Sequence, residues 1–269
     1  MHSQKIHNKK LILPVLIFLA GCLALAAVLY HSYRTNLKQV RAVTELNATT
    51  YAERLQNDMN RGVAITDTLE EIVLSENGKI DNFQKVAGNL MTDFVQSIQV
   101  APDGVVTDIY PEGGNEAGKI DLIHDESRGE ICRYGRDKNI VTMQGPFDLK
   151  QGGRGIAIRN PVYLECPDGT SAFWGFTIVI IRVPEVFEKS VQAFGYDYCL
   201  TKTVSPLSDD TEVVSSSGNI LKEPITFEFE FCGSTFGLEV MPTDGWNHGW
   251  NILPQLVLGI SIILLLTGL

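Results

Sequence analysis

The hydrophobic positions form two uninterrupted runs near the ends of the chain, with a mixed pattern between them. Residues 11–30 are 20 consecutive uncharged residues, and residues 252–269 form a second uncharged run. A helix of 20 residues is about 30 Å long, which is the thickness of a bilayer core. The pattern therefore predicts two transmembrane helices, at 11–30 and 252–269, around an exported segment.

A cleaved secretory signal is the alternative interpretation of the first run. Ala24-Leu25-Ala26 resembles a small-x-small cleavage site. The run is longer than the usual apolar region of a signal, which favours an uncleaved anchor. Both interpretations export the residues that follow.

The flanks of the two runs predict their orientation. Residues 1–10 contain three lysines and are expected to be cytoplasmic, whereas no Lys or Arg occurs after Lys222. Trp246 and Trp250 precede the second run, as is typical of a membrane boundary. No basic flank follows that run, so a missing cytoplasmic segment is expected, with a tail-anchored outer domain as the alternative.

Residues 31–96 are predicted to form a helical stalk. An apolar stripe recurs at steps of three and four, and it consists of Leu55, Met59, Val63, Leu69 and Val73. Such a stripe fits either the seam of a homodimer or packing of the helix on its own domain. Asp81 and Gln84 have the spacing of a capping box for a second helix ending at Phe94.

Short β-type runs replace the helical pattern after Ser97. In the first half, 97–183, the predicted strands are 97–100, 105–110, 140–143, 155–164 and 173–181. A polar stretch at 121–138 is compatible with a helix. Gly145-Pro146-Phe147 is predicted to form a turn that ends a strand. In the second half, 184–245, a helix at 184–194 precedes runs at 196–204, 212–215, 226–231 and 235–241. Hairpin connections predict an α+β fold with antiparallel sheets, one full and one reduced, covered by helices on one face.

The charge distribution narrows the classes of function. Mean hydropathy is +0.04 although 20% of the residues are charged. Residues 31–250 hold all 32 acids and 19 of the basic residues, a net charge of −13. Such a segment would be repelled by nucleic acid, and the two apolar runs exclude a plain cytoplasmic protein and a many-span channel.

Motifs of catalysis and metal binding do not occur in the sequence. It contains no Gly-x-Ser-x-Gly or His-Glu-x-x-His, and the glycine run at 152–155 lacks the Lys-Ser/Thr of a phosphate loop. His124 and His248 stand alone, so no metal, cofactor or catalytic residue is expected. An exported enzyme and a surface adhesion module remain alternatives to a receptor.

Four cysteines lie in the exported segment and allow three disulfide pairings. Pairing Cys132 with Cys166 and Cys199 with Cys232 is favoured, because each bond then falls within one half. Four reduced thiols are the alternative.

Between residues 105 and 186 the chain resembles the CHASE family, a sensory extracellular domain associated with cyclases and histidine kinases. The matching blocks are Gly104-Val105-Val106, Tyr110-Pro111, Gly114-Asn115-Glu116, Gly118 with Asp121-Leu122, Gly145-Pro146-Phe147, Gly152-Gly153-Arg154-Gly155, Arg159-Asn160-Pro161-Val162-Tyr163 and Phe173-Trp174-Gly175-Phe176. The resemblance implies two PAS-like sheets on a long helix and a small-molecule ligand in the membrane-distal sheet. It also implies a missing cytoplasmic output, either a diguanylate cyclase or a histidine kinase.

The resemblance also implies candidate ligand-binding residues. Plant members bind cytokinins, and an aspartate that contacts the hormone falls on Asp121, with a pocket-lining leucine at Met143. Arg159 stands where those receptors have a threonine, so an anionic ligand is expected instead, because a guanidinium holds carboxylate or phosphate. The candidate set is Tyr110, Asp121, Met143, Phe147, Arg159, Tyr163 and Trp174.

Structural roles are the alternative for these residues. Arg159 pairing with Asp121 or Asp148 would brace the sheet, Asp121 would cap a helix, and Trp174 would fill the core.

Overall fold

A computed structural model describes residues 2–112, 118, 120–149, 153–183, 195–247 and 250–268, with side chains from residue 13 onward. The motif at 114–116, Gly152, the helix predicted at 184–194 and His248 lie outside the described residues.

Four helices and nine strands follow one another along the described chain. The helices are α1 (His2–Ser75), α2 (Phe83–Leu90), α3 (Gly129–Lys138) and α4 (Ile252–Thr267). The strands are β1 (Val95–Pro102), β2 (Asp108–Tyr110), β3 (Thr142–Asp148), β4 (Arg154–Glu165), β5 (Ser171–Arg182), β6 (Tyr196–Ser205), β7 (Ser208–Ser216), β8 (Ile225–Phe231) and β9 (Ser234–Pro242). The prediction of an α+β fold with a long first helix is confirmed.

Among the described residues, one helix is long and apolar enough to cross a membrane, and it is α1. The apolar helix α4 has 16 residues. At 1.5 Å per residue it is about 24 Å long, less than the thickness of a bilayer core. The second span therefore remains a prediction.

The chain divides into two compact units. One comprises residues 1–46 and 242–269, and the other residues 47–241. In the first unit the apolar ends of α1 and α4 contact each other, and a Cβ on Gly259 would overlap the side chain of Leu25. The rings of Tyr33 and Trp250 meet edge to face, with centroids 5.0 Å apart.

The second unit contains two antiparallel sheets packed with α1. The five-stranded sheet has the order β2-β1-β5-β4-β3, and the four-stranded sheet has the order β7-β6-β9-β8. The stripe on α1 is buried here, with Leu55, Leu69 and Val73 at most 2% exposed. It therefore packs on its own domain, which was one of its two interpretations.

Helices cover both faces of the five-stranded sheet, so the prediction of one covered face is wrong. One face packs on α1 and α2 through residues such as Ile158 and Val179. The other packs under α3 through Ala157, Ile178 and Ile180. Burial on both faces explains why residues 178–181 are continuously apolar instead of alternating.

Two smaller predictions about local structure are wrong. Gly145-Pro146-Phe147 lies inside β3, where the register to β4 shifts, and does not end the strand. The capping box does not form, because Asn82 precedes α2 in a left-handed conformation and the Gln84 amide donates to the Ile109 carbonyl at 3.2 Å. The second helix ends at Leu90.

Gly175 allows β1 and β5 to pair closely. Its φ is +153°, and a Cβ there would overlap the Ala101 carbonyl oxygen and lie 2.7 Å from Pro102 Cα. Both obstacles are backbone atoms of the neighbouring strand, so neither can move without disturbing the pairing.

We expect Gly175→Ala to lower the free energy of unfolding by about 3 kcal/mol, because β1 must shift away from β5. Gly195→Ala is the matched control, since Gly195 also has a positive φ but its added Cβ meets no atom of the described residues within 4 Å. The control should cost about 1 kcal/mol. Thermal unfolding of the full chain in detergent measures both, and equal losses would contradict the close approach.

Candidate ligand-binding site

Strand β4 buries one arginine on the face of the sheet that α3 covers. Arg159 is 3% exposed. Its Nε and Nη1 are buried and have no hydrogen-bond partner in the described part of the chain. A buried donor is nearly always paired, because an unpaired one loses its hydrogen bonds to water without replacement. This guanidinium therefore has unused capacity to bind an acceptor.

The charges around Arg159 do not neutralise it. Burial lowers the pKa of Arg159, chiefly through loss of hydration, and the Arg128 charge lowers it further. Two nearby groups oppose this effect on the pKa of Arg159, first the Cys132 thiol and then the Asp125 carboxylate. Asp125 is itself engaged, since it accepts hydrogen bonds from the Ser127 hydroxyl at 2.6 Å and the Arg128 amide at 2.9 Å.

Arg159 lines a cavity of about 150 Å³, which we call the Arg159 cavity. Polar side chains of β1 form one wall and apolar side chains of β5 and nearby loops form another. The lining residues are Gln96, Ser97, Gln99, Ile120, Leu122, Arg128, Phe147, Asp148, Leu149, Arg159, Ile178 and Ile180. A cationic group against polar and aliphatic walls suits a small anion with a short carbon chain.

Strand register explains how these residues meet. Gln99 pairs with Ile178, and Ile178 pairs with Arg159 on the next strand. Arg159 in turn pairs with Thr142, whose buried hydroxyl has no hydrogen-bond partner among the described residues. One cross-strand row thus presents an amide, an aliphatic chain, a guanidinium and a hydroxyl on the same face.

Hydrogen bonds position the polar wall of the cavity. The Gln99 amide donates to the Ser97 hydroxyl at 2.9 Å. The Arg182 guanidinium donates to the Gln96 amide oxygen at the bulge between β1 and β5. Sequence reasoning missed Gln96, Ser97 and Gln99, although the polar residues Ser97 and Gln99 at alternate positions of an apolar run were a visible signal.

A larger cleft of about 450 Å³ adjoins the cavity, and Arg128, Phe147 and Asp148 line both. Its far wall is the β6–β7 hairpin. Behind that wall the buried Lys202 ammonium pairs with Glu212 at 2.7 Å.

The structure brings together some of the predicted site residues and separates the rest. Phe147 and Arg159 line the Arg159 cavity, and Met143 and Phe147 line the cleft. The other four, Tyr110, Asp121, Tyr163 and Trp174, line neither space.

Those four residues have other contacts. Trp174 donates its indole N–H to the Gly78 carbonyl at 3.0 Å, and the Tyr163 hydroxyl donates to the Arg136 carbonyl. Tyr110 packs beside the hydrophobic core. The hydrogen bonds of Trp174 and Tyr163 connect the sheet to a residue just beyond the end of α1 and to the last turn of α3.

Asp121 caps a turn and does not pair with Arg159. Its carboxylate accepts the Ile123 and His124 amides at 3.0 and 3.1 Å, and it lies 2.8 Å from the His124 ring. The His124 ring, as hydrogen-bond partner, lowers the pKa of Asp121. Neither Asp121 nor Asp148 forms an ion pair with Arg159 among the described residues, so the bracing interpretation is wrong.

The cysteines are free, so the favoured disulfides Cys132–Cys166 and Cys199–Cys232 are absent. Cys132 is a buried residue of α3, and Cys166 lies in the β4–β5 turn. Cys199 belongs to β6, whereas Cys232 lies in the β8–β9 turn. Grouping cysteines by halves of the sequence ignored these separate positions.

Comparison with known proteins identifies the fold family. The family model for the CHASE domain matches residues 31–212. The chain belongs to the CHASE family. CHASE domains are extracellular sensory modules of membrane receptors, and no curated protein matches the sequence significantly.

Solved structures of bacterial receptors share the fold of this CHASE domain. An extracellular ligand-binding receptor from Desulfohalobium retbaense superimposes with a TM-score of 0.57 at 11% identity, covering 73% of this chain and 39% of its own. The ligand-binding domain of the Campylobacter jejuni chemoreceptor Tlp3, in complex with L-norvaline, superimposes with a TM-score of 0.52 at 11% identity. The match covers 81% of this chain and 95% of the Tlp3 domain. This chain thus spans well under half of the first receptor's length.

We expect Arg159→Met to raise the free energy of unfolding by about 1–3 kcal/mol, because it removes an unpaired buried cation from the CHASE domain. Arg182→Met is the matched control. It removes the hydrogen bond to Gln96 and should lower the free energy by about 1 kcal/mol. Thermal unfolding of the full chain in anion-poor buffer measures both changes. A loss of stability in Arg159→Met would contradict the conclusion that the Arg159 guanidinium is unpaired.

Proposed function

We propose that this protein is the extracytoplasmic input module of a membrane receptor and that it binds a small organic anion in the Arg159 cavity. The observation that carries the proposal is the buried Arg159 guanidinium, which lines a cavity and has two nitrogens without a hydrogen-bond partner among the described residues. Such a group is costly for folding and gains a partner only when an anion enters.

The size of the cavity narrows the class of ligand. Water occupies about 30 Å³ per molecule in the liquid, so 150 Å³ holds the equivalent of about five waters. A carboxylate with a short aliphatic chain fits that space. L-norvaline, the ligand of the chemoreceptor domain with the same fold, shares the carboxylate and the short aliphatic chain of the proposed class but also carries an ammonium group.

The arrangement in the membrane is part of the proposal. Residues 1–10 would be cytoplasmic, with spans at 11–30 and 252–269 and a multi-pass position in the cell membrane. Between them lie the stalk (31–96), the membrane-distal sensor (97–183) and the membrane-proximal half (184–245). The output would be a diguanylate cyclase or a histidine kinase supplied by a cytoplasmic segment.

A homodimer through the stalk helix is also proposed, on a face different from the buried stripe. Val43 and Leu46 are one turn apart on α1, and they are 48% and 67% exposed. Two exposed aliphatic residues on one helix face suit a seam with a second copy of the chain.

Anion binding can be tested by thermal shift of the full chain in detergent with propionate, lactate, succinate, phosphate, L-norvaline and adenine. A probe at about 100 times its Kd should raise Tm by about 5–10 °C. Arg159→Met should abolish that rise, and Asp121→Asn should retain it because Asp121 lies outside the cavity. A rise that survives Arg159→Met, or a response to adenine alone, would overturn the proposal.

Dimerisation can be tested by cysteine cross-linking in membranes, with the five native cysteines replaced by alanine. Leu46→Cys should form a disulfide-linked dimer under mild oxidation. Ala48→Cys is the control, since Ala48 is 1% exposed and packs inside its own domain. Monomer for both variants would contradict a seam on this face.

A further inference from the structure

A second arginine borders the Arg159 cavity. Arg128 immediately precedes α3, and it lines both the Arg159 cavity and the adjoining cleft. Its side chain is 40% exposed, in contrast to the buried Arg159. Because Arg128 borders both spaces, a ligand that extends from Arg159 toward the cleft comes next to it.

Hydrogen bonds hold the backbone of the loop that carries Arg128. The Arg128 amide donates to Asp125 Oδ1 at 2.9 Å, and the same oxygen accepts from the Ser127 amide at 2.9 Å. The Gln144 side chain of β3 donates to the Ser127 carbonyl at 2.8 Å, which connects this loop to the sheet. These bonds fix the point from which the Arg128 side chain extends.

The Arg128 guanidinium, in contrast, is not engaged. It donates no hydrogen bond to the described residues, and its Nη1 lies 3.7 Å from Asp125 Oδ2. That separation is too long for a hydrogen bond, and a partly exposed ion pair contributes little to stability. The Asp125 carboxylate is bonded instead to the Ser127 hydroxyl at 2.6 Å. Arg128 therefore has donors available for a ligand.

The two guanidinium groups give the cavity an excess of positive charge. The Arg128 charge adds to the desolvation that lowers the pKa of Arg159, so the two cations repel each other. Among the lining residues of the cavity the acid is Asp148, an exposed residue at the end of β3. Two cations and one acid favour a ligand that carries more than one negative charge.

We propose that the ligand is a short dicarboxylate, with one carboxylate bound by Arg159 inside the cavity and the other bound by Arg128 where the cavity meets the cleft. A planar guanidinium can hold a carboxylate through two parallel hydrogen bonds. A dianion also relieves the repulsion between the two cations. The aliphatic side chains of Ile178 and Ile180 in the lining suit the carbon chain. The inference rests on the proposed function, because it adds a second binding group to the same site.

Three probes of matched structure identify the second group of the ligand. Succinate, butyrate and β-alanine share a propionate unit, and they end in a carboxylate, a methyl group and an ammonium group. Isothermal titration calorimetry of the full chain in detergent at neutral pH measures the Kd of each. Succinate should bind about tenfold more tightly than butyrate, because its second carboxylate gains a charge-assisted pair with Arg128. β-Alanine should bind more weakly than succinate.

Two variants connect this preference to Arg128. Arg128→Gln should remove the preference for succinate over butyrate. Lys138→Gln is the matched control and should retain the preference, because it removes the same charge from an exposed position of α3 outside both spaces. Neither side chain donates a hydrogen bond among the described residues, so both variants should fold.

The possible failures differ from those of the proposed function. Equal Kd values for succinate and butyrate, with both affinities lost in Arg159→Met, would remove the second carboxylate site and leave anion binding in place. A preference for succinate that survives Arg128→Gln would overturn the role of Arg128. Tightest binding of β-alanine would overturn the dicarboxylate and indicate pairing of an ammonium group with Asp148. Absence of binding by all three probes would overturn the dicarboxylate and the anion site together.

Discussion

Burial of the five-stranded sheet on both faces is the constraint on which the other features depend. One face packs on α1, and the other packs under α3 around the Arg159 cavity. Alternation along each strand assigns consecutive residues to the two faces, so Arg159, which lines the cavity, is adjacent to Asn160, which contacts α1. A sheet with one solvated face would lack either the Arg159 cavity or the contact with α1.

Burying Arg159 lowers the free energy of unfolding, and other interactions of the fold must offset this loss. Desolvating an unpaired guanidinium costs several kcal/mol, a large fraction of the stability of a typical domain. The apolar packing of β4 and β5 on both faces supplies the compensation. Methionine or leucine would fill this position without the cost of desolvating a charge, so packing alone does not account for the arginine.

The long helix, the succession of nine strands along the chain and the family could be predicted from the sequence, because they depend on periodicity and on local motifs. It failed where the outcome depends on tertiary contacts. Gly145-Pro146-Phe147 predicts a turn, but it lies within β3, at the position where the register to β4 shifts. Asp121 matched a family position but faces His124, since the loop that carries it closes on its own backbone. The charge on Arg159 was visible from sequence, whereas its lack of a partner was not.

The net negative charge of residues 31–250 determines how an anion could bind at Arg159. A net charge of −13 repels anions at long range, so affinity for one must come from short-range contacts at a desolvated cation. Burial supplies that condition, because screening by water and salt is weak inside the sheet. On the opposite face, Asp67 and Glu70 pair with no cation among the described residues, and both accept from the Asn160 amide. A positive and a negative charge without an ionic partner in the described chain thus lie on opposite faces of one strand, and only the positive one is withdrawn from water.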